Sequence, residues 1–560
     1  MTDFVIALSV VFVSAGLLLL VANRLGFSPV PFYIIAGLVT GRFVAQAALV
    51  ELALWGIAFL VFVFGLRVDL GDLRSVLRDG EAAAFTQLIV VAPMAFVVGY
   101  TFAGLFGFEE PFRNALYFAA AATLSSTLVG ARILEEEIRN NLVYGRLASS
   151  IHFFDDVVAV GVLLVLSAEV LTDAQLVTSK IGYGVLFLLA GLLIHRHGYP
   201  LLMRAAEGVD ELILMGSISI LIAFLAAAEA VGISIVIGAF AAGLAVRGEG
   251  AESLGVRNGI ESIKDFFAAI FFVTVGALVA VPTVGALLLA GALVALVVVL
   301  NPLVHTLAFV YEGYDGRTAF LAGSSLNQVS ELSLVVAIQA LLLGTIADVL
   351  FDAIILAAAV TMILSTVTGR YENAFYAAVV RPLFGERTEH IDEHSAVDPG
   401  LSGHVVVVGY GRHGRRIVAE LEDLDRPYVV VENDPARFED LQADCRNHVF
   451  GDAMASYPME LSRASAASLV ISTADYRPLS EALLELDTEG DLILRADTSP
   501  AARELLDAGA TFVTVPSVLA SDQLVENVER VLGDERAVVD LEREHRAFLE
   551  ELELAGLTAE

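Results

Sequence analysis

The chain has 560 residues, 57% of them apolar, with 66 Asp+Glu against 33 Lys+Arg and a net charge of −33; its mean hydropathy is +0.74. Many apolar runs reach the ~20 residues that a helix needs to cross the hydrocarbon core, so the chain reads as a polytopic membrane protein. The acidity argues against nucleic acid as a partner, and the single cysteine, Cys445, excludes an intramolecular disulfide framework or a cysteine-based zinc site.

Phe4 to Ala22 follows an acid rather than a basic cluster and has no small-residue cleavage site after it, so it reads as a retained span and not a signal peptide. Charged or Gly/Pro-rich breaks divide residues 1–385 into thirteen predicted spans: 4–24, 29–47, 51–69, 81–106, 112–134, 142–170, 175–197, 210–230, 231–247, 260–280, 283–311, 317–343 and 350–381. Fifteen Lys+Arg follow odd-numbered spans, among them Arg74, Arg78, Arg139 and Arg247, and three (Arg42, Arg113, Lys180) follow even-numbered ones. Basic loops stay inside, which predicts an amino terminus outside the cell membrane and a carboxyl-terminal region in the cytoplasm. That region, 386–560, holds 37 Asp+Glu against 15 Lys+Arg, and the chain has only two lysines beside 31 arginines, a halophilic kind of composition.

Ile34-Ile-Ala-Gly-Leu-Val-Thr-Gly-Arg42 in the second span echoes Ala239-Phe-Ala-Ala-Gly-Leu-Ala-Val-Arg247 in the ninth, and Phe59–Leu66 in the third echoes Ile270–Ala277 in the tenth. Seven crossings separate the copies, so they are inverted, as in secondary transporters that bind substrate near the midplane. The fifth and twelfth spans are interrupted at corresponding places, by Thr123-Leu-Ser125-Ser126-Thr127 and by Ser324-Ser-Leu-Asn327-Gln328-Val-Ser-Glu331-Leu-Ser333. Non-helical backbone at membrane depth survives where it lines a cavity, so both breaks are candidate ion-site elements. Facing them the sixth span carries Asp155 and Asp156 in an otherwise apolar stretch. A carboxylate at the bilayer centre costs about 2.5–3.5 kcal/mol even on insertion scales, which points to a watery cavity and to carriage of protons and cations.

After a polar linker (386–402), residues 403–532 alternate strand and helix patterns as a doubly wound sheet requires. His404-Val-Val-Val-Val-Gly-Tyr-Gly-Arg-His-Gly414 holds the dinucleotide fingerprint Gly409, Gly411 and Gly414, and Glu432 ends the next strand where a ribose-binding acid belongs. Glu432 favours a free 2′-hydroxyl, hence NAD(H) or an adenosine nucleotide; Arg412 is a candidate phosphate contact, and Asp452 after the third strand is placed with them. Residues 533–560 read as a charged amphipathic tail helix suited to packing or dimerisation.

Leu25-Gly-Phe, Ile35-Ala-Gly-Leu, Phe64-Gly-Leu-Arg, Leu124-Ser-Ser-Thr127, Phe154-Asp-Asp156, Gly238-Ala-Phe-Ala-Ala-Gly243, Phe271-Phe-Val-Thr-Val-Gly276 and Gln328-Val-Ser-Glu331 resemble Kef-type and related members of the monovalent cation:proton antiporter-2 family. Residues 403–532 resemble regulator-of-potassium-conductance domains of the Trk amino-terminal kind. The resemblance implies a non-enzymatic, membrane-embedded homodimer that exchanges Na⁺ or K⁺ for H⁺ on the aspartate matching Asp156, regulated by NAD(H), AMP or ATP. Asp155 stands where glutathione-gated relatives have Gln, and Asn301 stands where electrogenic exchangers have a lysine paired with the first aspartate. A nucleotide-gated potassium channel is the first alternative, but no Thr-Val-Gly-Tyr-Gly filter is present. A membrane-anchored NAD-dependent oxidoreductase is the second; no substrate domain or redox ligand set is recognisable for it.

Overall fold

The computed structural model describes residues 2–43, 46–67, 81–135, 138, 142–166, 174–206, 209–246, 254–384, 391, 394–533, 538, 541–543 and 545–547. Arg74, Arg78, Arg139 and Arg247 of the basic loops, much of the 386–402 linker and most of the 533–560 helix lie outside the described residues. The chain divides into two units: unit 1 is the bulk of residues 1–382, and unit 2 is 383–560 with the short segments 139–143 and 313–317.

The described elements of unit 1 are helices, and helix lies on each of the thirteen predicted stretches. Seven of its described helices are long and apolar enough to cross a membrane, and three shorter apolar ones are Pro29–Thr40, Ile235–Val246 and Glu331–Leu342. Ends are set locally. Pro29 and Pro111 open helices, where a missing N–H is harmless, and Gly107 and Gly232 close them in left-handed conformation, at φ of 67° and 74°.

Among the described residues, four helices contain one wide turn each: Gln87–Val91, Ile194–Gly198, Leu296–Leu300 and Tyr376–Val380. In each, the amide of the next residue reaches five residues back, and the residue after that is a proline: Pro93, Pro200, Pro302 or Pro382. A proline inside a helix removes one N–H and its ring strikes the carbonyl four residues earlier. The wide turn absorbs both defects without breaking the helix. Two of these turns, before Pro93 and Pro302, sit in the fourth and eleventh spans, so the inverted repeat extends to its irregularities.

The repeat also explains the glycines. A Cβ on Gly37 of the second span would strike the backbone of Val273 and Gly276 in the tenth, and one on Gly276 would strike Ile34 O. The matching pair is Gly65 of the third span and Gly243 of the ninth, where a Cβ would strike Phe240 O and Phe62 O respectively. Each seam is therefore backbone on backbone.

In unit 2 six parallel strands run in the order β3-β2-β1-β4-β5-β6: β1 Val405–Val408, β2 Tyr428–Glu432, β3 His448–Phe450, β4 Leu469–Ser472, β5 Asp491–Arg495 and β6 Phe512–Thr514. β1 is Val-Val-Val-Val and fully buried, as a central strand covered on both faces must be. The order reverses between β1 and β4, which opens a crevice beyond their carboxyl ends. The last linker residues join this unit, Ala396 pairing antiparallel with His448.

Gly65→Ala and Gly243→Ala should each destabilise unit 1 by about 1–3 kcal/mol, the cost of overpacking a filled contact. Gly104→Ala, whose Cβ meets nothing within 4 Å, should leave stability unchanged or raised. Thermal unfolding of the detergent-solubilised protein checks this; equal melting temperatures for all three variants would show that the seams are not close-packed.

Candidate functional site

The fifth stretch breaks after Pro111–Thr123 and resumes at Thr127–Ile133; the twelfth breaks after Gly316–Ser324 and resumes at Glu331–Leu342. The two breaks cross as extended chains, Ser125 pairing antiparallel with Val329 and the Ser330 amide donating to Leu124 O at 3.0 Å. Each resuming half-helix is capped by a serine: Ser126 Oγ accepts from the Val129 amide and Ser330 Oγ from the Leu332 amide. Glu331, fully buried, accepts from the Leu128 amide at 3.0 Å and so ties one half-helix amino terminus to the other.

Two carbonyls freed by the first break are covered by amide side chains: Asn301 Nδ2 donates to Ala122 O at 2.9 Å and Gln87 Nε2 to Thr123 O at 3.0 Å. Gln328 Nε2 donates at 3.1 Å to Ser126 O, which also accepts from the Gly130 amide. Gln328 Oε1 in turn accepts from Ser365 Oγ at 2.8 Å. Asn327 Nδ2 donates to Thr368 Oγ1 at 2.9 Å, and the Thr123 hydroxyl donates back to Ala119 O of its own helix.

The two aspartates have different surroundings. Asp155, 1% exposed, accepts from the Ser125 amide at 2.7 Å, from Ser125 Oγ at 2.5 Å and from Gln87 Nε2 at 2.5 Å. Asp156 is half-buried, accepts from Thr127 Oγ1 at 3.0 Å, and borders a small pocket whose other walls, among the described residues, are Val61, Phe64, Val160, Leu163, Val236, Ile237, Phe240 and Leu332. Asp155, Ser125, Ser126, Thr127, Gln328 and Glu331 are thus brought together around the crossing. Asn301 joins them through a carbonyl, Ala122 O, and hydrogen-bonds to neither aspartate.

Three residues of this layer had no sequence expectation: Gln87, His305 and His152. His305 Nε2 is 2.7 Å from Gln87 Oε1, and His152 Nδ1 is 3.1 Å from Ser125 Oγ. The signal that could have found Gln87 and His305 is a strongly polar side chain in a largely apolar run, Gln87 six residues before Pro93 and His305 three residues after Pro302.

At the switch point of unit 2, Gly409 has φ of 93°, and a Cβ on Gly414 would strike Gly409 O. Gly411 is the residue before the helix Arg412–Asp423, and a helix amino terminus after a Gly-rich turn is the place where phosphate binds in such sheets. Arg412 is exposed. The Glu432 carboxylate is turned into its own chain, accepting from the amides of Tyr410 at 2.6 Å, Asn433 at 2.8 Å and Asp434 at 2.9 Å. Burial pushes this carboxyl above its usual range, while the Tyr410 amide pulls the other way. Asp452 accepts from the Met454 amide. Arg437, absent from the sequence reading, donates to Tyr410 O at 2.9 Å and Asp434 Oδ2 at 3.1 Å; its guanidinium lies 3.2 Å from where a Gly411 Cβ would be.

Comparison with known proteins matches residues 8–370 to the sodium/hydrogen exchanger transmembrane family and residues 405–516 to the TrkA-N domain. The chain is 27% identical over 546 residues to a candidate K(+) efflux antiporter, KefB, of Alkalimonas amylolytica, covering 92% of this chain and 79% of that one. It is 25% identical over 372 residues to the Na(+)/H(+)-K(+) antiporter GerN of Bacillus cereus, covering 65% and 94%. The sodium proton antiporter MjNhaP1 of Methanocaldococcus jannaschii shares the fold, with a TM-score of 0.50 at 14% identity over 68% of this chain and 99% of that one. With the family model spanning more than half of its length, and unit 2 matching the second model, the chain belongs to the sodium/hydrogen exchanger family as a multi-pass cation/proton antiporter joined to a TrkA-N domain.

Proposed function

We propose that the chain exchanges a monovalent cation, Na⁺ or K⁺, for protons at Asp156 by alternating access, and that unit 2 senses an adenine nucleotide. The observation that carries the first part is the division of labour between the aspartates. Asp155 accepts from three donors within the crossing, whereas Asp156 accepts from Thr127 and borders a small pocket with apolar walls. A carboxylate in such a place holds a proton or a metal cation, never both, and competition at one site is what couples the two fluxes. Thr127 and the half-helix amino termini at the crossing are suited to orient Asp156. The names of the relatives point to K⁺ in one case and to both ions in the other, which is why the cation is given as a class.

The positive-inside count supports a cytoplasmic unit 2 and an external amino terminus, and the family resemblance supports a homodimer in the lipid bilayer. The Gly-rich turn at the switch point of the sheet supports a nucleotide there, NAD(H) or AMP/ATP, with Glu432 shaping the turn through three amides and Arg437 standing over it. A sensor works only through a difference in affinity between active and inactive states.

Asp156→Asn should abolish exchange and leave folding intact, because it removes a buried charge rather than creating one. Asp155→Asn should keep exchange but alter cation affinity or the charge moved per cycle. Proteoliposomes with Na⁺ or K⁺ gradients, read for internal pH and voltage together, check both; undiminished cation-driven proton flux in Asp156→Asn would overturn the mechanism. Gly411→Ala should weaken nucleotide binding at least tenfold, or ~1.4 kcal/mol, by blocking close approach of phosphate, without stopping exchange. Calorimetry on the full chain with NAD⁺, NADH, AMP and ATP tests this; if none of them binds, the sensor role is refuted.

A further inference from the structure

His413 is the second residue of the helix Arg412–Asp423, which starts straight after the Gly-rich turn of unit 2. Its Nδ1 lies 3.0 Å from Nη1 of Arg495, the last residue of β5. The same Nη1 donates to Thr473 O at 3.3 Å. Thr473 follows β4 and packs on the turn, its Oγ1 being 2.6 Å from where a Gly409 Cβ would be. Arg495 thus joins the carboxyl ends of β4 and β5 to the start of the helix that follows β1.

A guanidinium has N–H donors and no acceptor. Nδ1 of His413 must therefore accept, and the ring hydrogen is on Nε2. Turning the ring over would set a C–H against the same N–H and make no bond, and an imidazolium would set N–H against N–H. The contact admits one state of the ring, the neutral one. The surrounding charge favours the same state. Partial burial, then the positive charges of Arg495 on β5 and of Arg412 and Arg416 on its own helix, hold the His413 pKa below the ordinary histidine range. Among the described residues no carboxylate counters them.

We propose that His413 links nucleotide binding in unit 2 to proton uptake: the phosphate takes Arg495 from His413, and the freed imidazole takes a proton. This rests on the nucleotide site proposed above and gives that site its regulation. Arg495 is suited to the exchange because its Nε is buried without a hydrogen-bond partner, so an acceptor arriving in the crevice satisfies a donor that the fold leaves unused. The arriving negative charge also offsets the three guanidiniums around the ring, and the pKa of His413 rises on binding. A group that gains a proton together with the ligand makes affinity depend on pH, tighter in acid and unchanged where the ring is neutral in both states. The sensor then reads proton concentration on its own side of the membrane, the concentration of the very ion that unit 1 is proposed to move.

Calorimetry on the full chain with NAD⁺, AMP and ATP, at pH 8 and pH 6 and in two buffers of different ionisation heat, tests this. The ligand that binds should bind about fivefold more tightly at pH 6, the gain expected when about one pKa unit separates free and bound states, and should draw a fraction of a proton from the buffer. His413→Gln keeps an acceptor for Arg495 but does not titrate. It should match the parent at pH 8 and lose both the tightening and its share of the proton uptake; the difference between the two proteins removes the titration of the ligand and of the other histidines. Equal proton uptake in parent and His413→Gln overturns the proposal and leaves the sensor reading standing. So does loss of binding in His413→Gln at pH 8, which would make His413 a ligand contact. No binding of any of the three nucleotides at either pH overturns both.

Discussion

A peptide group without a partner costs several kcal/mol inside a bilayer, and the centre of unit 1 is organised around two interruptions that create such groups. Extended backbone at Ser125 and Val329 satisfies part of the demand by pairing across the crossing. Asn301 and Gln87 satisfy two of the carbonyls that remain, and Gln328 adds a second donor to Ser126 O. An amide side chain suits this work because it donates and accepts at once. Having covered a carbonyl, it still has a hand to extend: Gln87 reaches Asp155, and Gln328 receives Ser365. The machinery that makes broken helices tolerable is thereby the same machinery that fixes the carboxylates.

Neighbouring residues on a helix point ~100° apart, and this alone separates Asp155 from Asp156. One turns into the crossing, the other toward the third and ninth spans. Only a rotation of the helix Val143–Leu166 by about that angle would exchange the two seats, and the Ser125 and Thr127 contacts hold the helix in phase against it.

Much of this was legible in the sequence, for physical reasons that can be named. The two broken spans announce themselves because Ser324–Ser333 is more polar than lipid accepts. The strands of unit 2 are marked by unbroken Val and Ile runs between turn residues, and the Gly409–Gly414 turn by a spacing that only close backbone approach explains. What stayed hidden were partnerships without local cause. Gln87 meets residues 36, 68 and 218 positions away, and a lone Gln or His in an apolar helix gives no sign of which way it faces. The orientation of Glu432 was hidden for a related reason: its position at the end of β2 is a matter of spacing, but the inward turn of its carboxylate is set by the amides of Tyr410, Asn433 and Asp434.

The glycine seams bear on how such a molecule could move. Side chains that interlock can adopt new rotamers and let helices slide, but peptide planes in direct contact at Gly37, Gly276, Gly65 and Gly243 have no such freedom. The second, third, ninth and tenth spans are thus welded pairwise into a plate. Slip planes, if the pocket is to open alternately to the two sides, must run along the plate's border, where Phe64 and Phe240 line one pocket with Val160 and Leu332, and the greasy surface found there is the kind that lets two solids shear without first tearing hydrogen bonds apart.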